Sequence, residues 1–63
     1  LPAVRARARR MTALAEFVAE HGERGLRAIG GRRAALRFLD EQDPALDVAT
    51  LVERLEARAE VAG

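Results

Sequence analysis

The sequence predicts an all-α fold, a small bundle of three to four short helices. Three observations predict it: apolar residues recur at helical spacing, glycine and proline divide the periodic segments, and no stretch alternates like a β-strand. The expected helices span about 3–21, 23–29, 32–41 and 48–62. Short connections favour antiparallel neighbours. The 63 residues have room for one domain, residues 1–63.

The first helix is predicted from an apolar stripe at spacings of four and three residues. The stripe consists of Val4, Ala8, Met11, Ala15 and Val18, and is widened by Leu14 and Phe17. Gly22 stands where a C-terminal glycine cap belongs. His21 then lies in the last turn, where the negative end of the helix dipole accommodates a polar or cationic side chain. We favour this structural role for His21 over a catalytic or ligand role.

Two adjacent glycines divide the next segment. Gly30-Gly31 would cost about 2 kcal/mol inside a helix, so the chain is expected to break there into helices 23–29 and 32–41. In the second of these, Leu36 and Leu39 face the core, and Phe38 lies at its edge or in an interface. The pair Asp43-Pro44 ends the segment, because a residue before proline avoids helical geometry.

The last helix has the clearest start signal. Asp47 is a good N-cap, and Leu46 is placed to pack on Leu51 as a hydrophobic staple. An apolar stripe then runs to the end of the chain, which Gly63 closes. The stripe consists of Val48, Leu51, Val52, Leu55, Ala59 and Ala62.

Composition argues against catalysis. The chain has no Lys, Ser, Asn, Cys, Tyr or Trp, so the nucleophiles that covalent catalysis uses are reduced to Thr12 and Thr50, with His21 as the single histidine. We therefore expect no enzymatic activity, no cofactor and no small-molecule substrate. One histidine without cysteine also argues against a dedicated metal site.

Three carboxylates of the last helix deserve a separate test. Glu53, Glu56 and Glu60 share a helical face, which could form a metal-binding ridge. No histidine is near them in the sequence, and Arg54 and Arg58 are interleaved. A solvated helix face is the interpretation that these neighbours favour.

Charge is divided unevenly along the chain. Residues 1–37 carry nine arginines against three glutamates, a net of +6, whereas residues 38–63 carry two arginines against seven carboxylates, a net of −5. Oppositely charged helices could pair within the bundle, or one molecule could present its positive half to an acidic surface of another. The Arg- and Ala-rich usage is itself typical of a high-GC bacterial genome.

The leading hypothesis is a helical protein–protein interaction module, a small subunit or docking domain. Fourteen of the 31 hydrophobic residues are alanine, so the core is thin, and a chain of this size often gains stability from a partner or a second copy. The expected interface residues are Met11, Leu14, Phe17, Val18, Phe38, Leu51, Val52 and Leu55.

The alternative hypothesis is a DNA- or RNA-binding domain. The expected phosphate contacts are Arg5, Arg7, Arg9, Arg10, Arg27, Gly30, Gly31, Arg32, Arg33 and Arg37. Four arginines oppose the dipole at the start of the first helix, so residues 1–10 are expected to form a flexible basic arm until a partner orders them. Missing Tyr, Trp, Lys and Asn make sequence-specific reading of bases a poor expectation.

One stretch adds to this alternative. Residues 26–34, Leu-Arg-Ala-Ile-Gly-Gly-Arg-Arg-Ala, resemble the hairpin of helix-hairpin-helix motifs. The resemblance implies that Gly30 and Gly31 form the turn, that Arg32 and Arg33 neutralise a DNA phosphate at a helix N-terminus, and that Ala34 permits close helix packing. It departs from the family, whose two glycines are usually separated by one residue. A plain turn between solvated arginines explains the same residues.

Cellular location is the last expectation. No apolar run approaches the roughly 20 residues that a membrane crossing needs, and the Arg-rich start lacks the apolar segment of a signal peptide. We therefore expect a cytoplasmic chain without membrane partners.

Overall fold

The computed structural model describes residues 2–62, which form three helices: α1 (Pro2–Ile29), α2 (Arg32–Asp40) and α3 (Val48–Ala62). Leu1 and Gly63 lie outside the described residues. The predicted all-α bundle is confirmed. The side chain of Arg9 contacts the residue 46 carbonyl and His21 contacts Glu56, so α1 and α3 run in the same direction. The shorter α2 runs in the opposite direction, since it begins just after the end of α1 and its Leu39 carbonyl lies beside Arg10.

Helix α1 bends at Gly22, where the sequence predicted an interruption. The Gly22 backbone has φ 68° and ψ −166°, a region that is essentially restricted to glycine. The bend turns residues 23–29 back over the bundle, so that Leu26 and Ile29 are buried. The first ten residues, apart from Leu1, belong to the first part of α1.

The predicted break at Gly30-Gly31 is also confirmed. Both glycines have positive φ, 114° and 99°. The Gly31 N–H donates to the Leu26 carbonyl and the Gly30 N–H to the Arg27 carbonyl, each at 3.0 Å. This is the hydrogen-bond pattern of a Schellman motif, which closes α1 before α2 begins at Arg32.

The core corrects the predicted face of α1. Val4 and Met11, on the predicted stripe, are 62% and 42% exposed, and Ala8 and Ala15 are exposed too. Helix α1 instead buries a neighbouring face centred on Leu14 and Phe17. Alanines occur on every face of this helix and fit either stripe, so the two large side chains decide the orientation. The core consists of Ala13, Leu14, Phe17, Leu26, Ile29, Ala35, Leu39, Leu51 and Leu55.

The last two helices follow their predicted patterns closely. Helix α2 ends at Asp40, one residue early, and buries Leu39 with Phe38 half-buried. The Asp47 carboxylate accepts a hydrogen bond from the Thr50 N–H at 2.8 Å, which confirms the N-cap. That bond lowers the pKa of Asp47 below its ordinary value of 3.8. Within residues 2–62, no helix has both the length and the apolar character that a membrane crossing requires.

Candidate functional site

The structure places the predicted interface residues in two environments. Leu14, Phe17, Leu51 and Leu55 lie within the core of the single chain, each at most 2% exposed. Of the others, Met11 is exposed, and three are half-buried at the margin of the core: Val18, Phe38 and Val52. The helices therefore satisfy most of their apolar faces among themselves, and a partner would have to use side chains that remain at the surface.

Two of the predicted phosphate contacts hold the connection between α2 and α3. Arg10 donates from Nε to the Leu39 carbonyl at 3.1 Å and from Nη2 to the Gln42 carbonyl at 3.3 Å. These groups lie at the C-terminal end of α2, where unpaired carbonyls and the helix dipole favour a cation. Arg10 also lies 3.9 Å from the Asp40 carboxylate. Part of the positive charge of residues 1–37 thus makes contacts within the chain.

Arg9 holds the other end of that connection. Its Nε donates to the Leu46 carbonyl at 3.1 Å, and its Nη2 donates to the Pro44 carbonyl. Arg5 and Arg7 are exposed near the start of α1.

The remaining predicted phosphate contacts lie at the end of α1 and along α2. Arg27, Arg32 and Arg33 are exposed around the Gly30-Gly31 turn, and Arg37 is exposed one turn further along α2. Arg7 lines a cavity with Leu36 and Asp40, so the start of α1 lies beside the last part of α2. Gly31 gives α2 no side-chain cap.

An apolar groove lies between α2 and α3. We call it the α2–α3 groove, with a volume of about 350 Å³. It is lined by Phe38, Gln42, Arg54, Ala57, Arg58 and Val61. Val61 is 82% exposed, the largest exposure among the described large hydrophobic side chains. The groove therefore offers apolar surface that the bundle does not cover.

Arginines form the rim of this groove. The Arg58 guanidinium lies over the Phe38 ring, 5.7 Å from its centroid, in cation–π contact. Arg54 donates to Gln42 Oε1 at 2.9 Å, and Gln42 Nε2 donates to the Phe38 carbonyl at 3.0 Å. A smaller adjoining cavity shares Phe38 and Arg58 and is also lined by Arg37 and Glu41. Three arginines and one glutamate thus surround an apolar floor.

A second cavity lies between α1 and α3, on the opposite flank of α3, with a volume of about 540 Å³. At its wall, His21 Nε2 lies 2.7 Å from Glu56 Oε2, and the imidazole packs on the Phe17 ring at 4.8 Å between centroids. Glu53 and Glu60 line the same cavity. Sequence reasoning missed this pairing, because 35 residues separate the imidazole from its carboxylate.

Within residues 2–62, neither threonine lies beside this imidazole and its carboxylate. Thr12 is nine residues before His21 along α1, about 13 Å of helix rise, and Thr50 is six residues before Glu56 on α3, about 9 Å. Neither hydroxyl is thus placed within hydrogen-bonding reach of the imidazole. The chain was compared with protein-family models, with curated protein sequences and with solved structures, and nothing matched.

Proposed function

We propose that this chain is a non-enzymatic helical interaction module, which binds an acidic amphipathic helix of a partner protein in the α2–α3 groove. The observation that carries the proposal is the combination of an exposed apolar floor, Phe38 and Val61, with a rim of arginines. An amphipathic helix recognises such a groove through apolar anchors at helical spacing.

Charge specifies the chemistry of the partner. Arg37, Arg54 and Arg58 outnumber Glu41 along the groove and its adjoining cavity. Carboxylates flanking the apolar anchors of the partner would meet these guanidiniums, which accelerates association and fixes the register. A basic helix with the same apolar anchors would be repelled by these three arginines. The rim should therefore select acidic partner helices over basic ones.

A partner protein is favoured over a second copy because the core is already buried within one chain. Leu14, Phe17, Leu39 and Leu55 are fully enclosed within one chain, so self-association is not needed to bury them. Among the described residues, the exposed large hydrophobic side chains are Val61, in the groove, and Val4 and Met11, on α1. A groove of this size suits one helix edge better than an extensive self-complementary interface.

The test uses two synthetic helical peptides of about 15 residues with identical leucine spacing, one with glutamate and one with lysine at the polar positions. Binding is followed by fluorescence anisotropy, and the contact surface is mapped by amide chemical shifts of the labelled chain. We expect the acidic peptide alone to bind, with shifts around Phe38 and Val61. Arg58→Glu should weaken binding about tenfold or more, since it reverses a rim charge. Arg7→Glu, the same reversal at an exposed site outside the groove, is the matched control.

Three results would overturn the proposal. Equal affinity of the Arg58→Glu and Arg7→Glu variants would show that the groove is not used. Shift changes confined to other surfaces would relocate the site. A concentration-dependent dimer in light scattering, abolished by Arg58→Glu, would make a second copy the occupant instead of a partner protein.

Nucleic-acid binding, the alternative raised by the sequence, is tested with the same protein. Arg9 and Arg10 already donate to backbone carbonyls of the α2–α3 connection, which favours the protein partner. A duplex or single-stranded probe is titrated at about 50 mM salt and again at higher salt. Salt-sensitive binding that is lost in Arg32→Ala/Arg33→Ala, while peptide binding is absent, would replace our proposal with this alternative.

A further inference from the structure

We propose that Glu20, His21 and Glu56 form a binding site for a divalent transition-metal ion, with Zn²⁺ as its best-suited occupant. One ligand atom from each of these side chains lies within 4.8 Å of the other two. Two ligands come from α1 just before its bend, and the third comes from α3. This site is separate from the α2–α3 groove and does not depend on the proposed function.

Two movements bring the donor atoms to the spacing of a zinc site: His21 and Glu56 separate slightly, and Glu20, whose ligand atom lies within 4.8 Å of theirs, approaches them. His21 Nε2 and Glu56 Oε2 are 2.7 Å apart. Bonds of about 2.0–2.1 Å in a tetrahedral zinc site place two donor atoms about 3.3 Å apart. An opening of about 0.6 Å therefore admits the metal between them. The Glu56 side chain is more than one-third exposed and Glu20 is exposed, so rotation about the bonds of the two glutamates can supply these movements.

The surroundings of His21 hold the imidazole in place for such a site. The imidazole packs on the ring of Phe17, which is itself 1% exposed and belongs to the core. A Cβ built on Gly25 would lie 2.5 Å from the His21 Cβ, so the chain after the bend closely approaches the base of the histidine. An aromatic floor and a close backbone together restrict the directions in which Nε2 can point.

The donor set selects the class of metal. One imidazole nitrogen with two carboxylates suits zinc and its neighbours in the first transition series, whereas Ca²⁺ and Mg²⁺ prefer oxygen alone. Glu53 and Glu60 line the cavity between α1 and α3 together with His21 and Glu56, and they add negative charge near the ion. A water molecule would complete four-coordination.

Binding would also connect two helices. The ion would link α1 at its bend to α3 and replace a direct hydrogen bond between His21 and Glu56. A ligand that binds only the folded chain raises its stability in proportion to the logarithm of ligand concentration. The melting temperature should therefore rise with added Zn²⁺.

The experiment titrates ZnCl₂ into the untagged chain in metal-free buffer, using calorimetry and NMR. Since His21 is the only histidine, its imidazole resonances report the site without ambiguity. We expect one ion per chain, saturating changes in those resonances, and no such changes with Ca²⁺ or Mg²⁺. Loss of an outer partner already costs about tenfold or more in metal affinity, so His21→Gln, Glu20→Gln and Glu56→Gln should each cost at least that.

The matched control is Glu41→Gln, which removes one exposed carboxylate at the end of α2. It should bind Zn²⁺ like the unmodified chain. The proposal is overturned if Zn²⁺ produces no saturable change, or if Glu20→Gln and Glu56→Gln bind as well as the control. One ion per two chains, with dimer formation in light scattering, would also overturn it. Circular dichroism would check that each variant is folded. If His21→Gln unfolds, Glu20→Gln still tests the site, because Glu20 is exposed and its substitution should leave the fold intact.

Discussion

The bend of α1 predicts that Gly22→Ala destabilises the chain, whereas helix propensity alone predicts that the substitution stabilises it. In a straight helix, Gly22→Ala should stabilise the chain by about 1 kcal/mol. The structure gives Gly22 φ 68° and ψ −166°, which a side-chain-bearing residue adopts only with strain. No atom lies within 4 Å of a Cβ built there, so the cost is conformational and involves no steric clash with neighbours.

The expected net effect is a destabilisation of about 1–2 kcal/mol. Strain in such a region costs about 1–3 kcal/mol, and the lower entropy of the unfolded alanine chain returns about 0.4–1 kcal/mol. A chain of this length has a total stability of about 3–9 kcal/mol, so the loss is large. It corresponds to a decrease in melting temperature of about 5–15 °C.

Urea denaturation followed by circular dichroism at 222 nm measures this change. The control is Ala19→Gly, at an exposed position three residues earlier in the same helix, which should cost about 1 kcal/mol through propensity alone. If Gly22→Ala were as stable as the unmodified chain, or more stable, α1 would not need its bend. The burial of Leu26 and Ile29 and the position of His21 would then require another explanation.

Three further perturbations test other parts of the fold. Arg10→Met removes the charged donor at the end of α2 and should cost about 1–2 kcal/mol in urea denaturation, whereas exposed Arg7→Met should change little. Leu55→Ala, at a fully buried site, should cost about 2–5 kcal/mol and leave much of the chain unfolded at 37 °C, as thermal melting would show. The folded pKa of Asp47 is lowered, so its contribution is complete above the unfolded value near 4 and is lost as the pH falls through the folded value. Asp47→Asn keeps an N-cap side chain that does not titrate. Between pH 5 and pH 2, the urea midpoint of this variant should therefore fall less than that of the unmodified chain.

Helix ends could be predicted from the sequence because their signals are local. Gly22, the Gly30-Gly31 pair and Asp47 each act on their own backbone, through positive φ or through a side chain bonded three residues away. The expected bounds of α3 match the structure, and those of α2 differ by one residue. Conformational preference and capping operate without knowledge of the rest of the fold.

The face of α1 could not be read in the same way. Alanine gives little energetic contrast between one face and another, so spacing fitted a stripe through Val4 and Met11 as well as the true one through Leu14 and Phe17. Volume would have been the better guide. Leu14 and Phe17 occupy the centre of the core, whereas four of the five positions that defined the predicted stripe are exposed and Val18 is half-buried.

The pairing of His21 with Glu56 was beyond local reasoning for a different reason. It depends on α1 and α3 running in the same direction, which the structure shows through the positions of Arg9 and His21 along α1. The sequence places no histidine near the carboxylates of α3, and that premise led to the solvated-face interpretation. Folding supplies the missing imidazole from a distant segment. A motif search restricted to neighbours along the chain cannot find such a site.

Charge shows how sequence and fold combine in α3. Arg54 and Arg58 are four residues apart and lie on the flank toward α2, whereas Glu56 lies on the flank toward α1 with its acidic neighbours. The buried stripe containing Leu51 and Leu55 runs on the opposite side, toward the core. One helix therefore presents cations to an apolar groove and carboxylates to a histidine. The net charge of each half of the chain conceals this separation of cations from carboxylates, because the two kinds of charge lie on different flanks of one helix and alternate along its sequence.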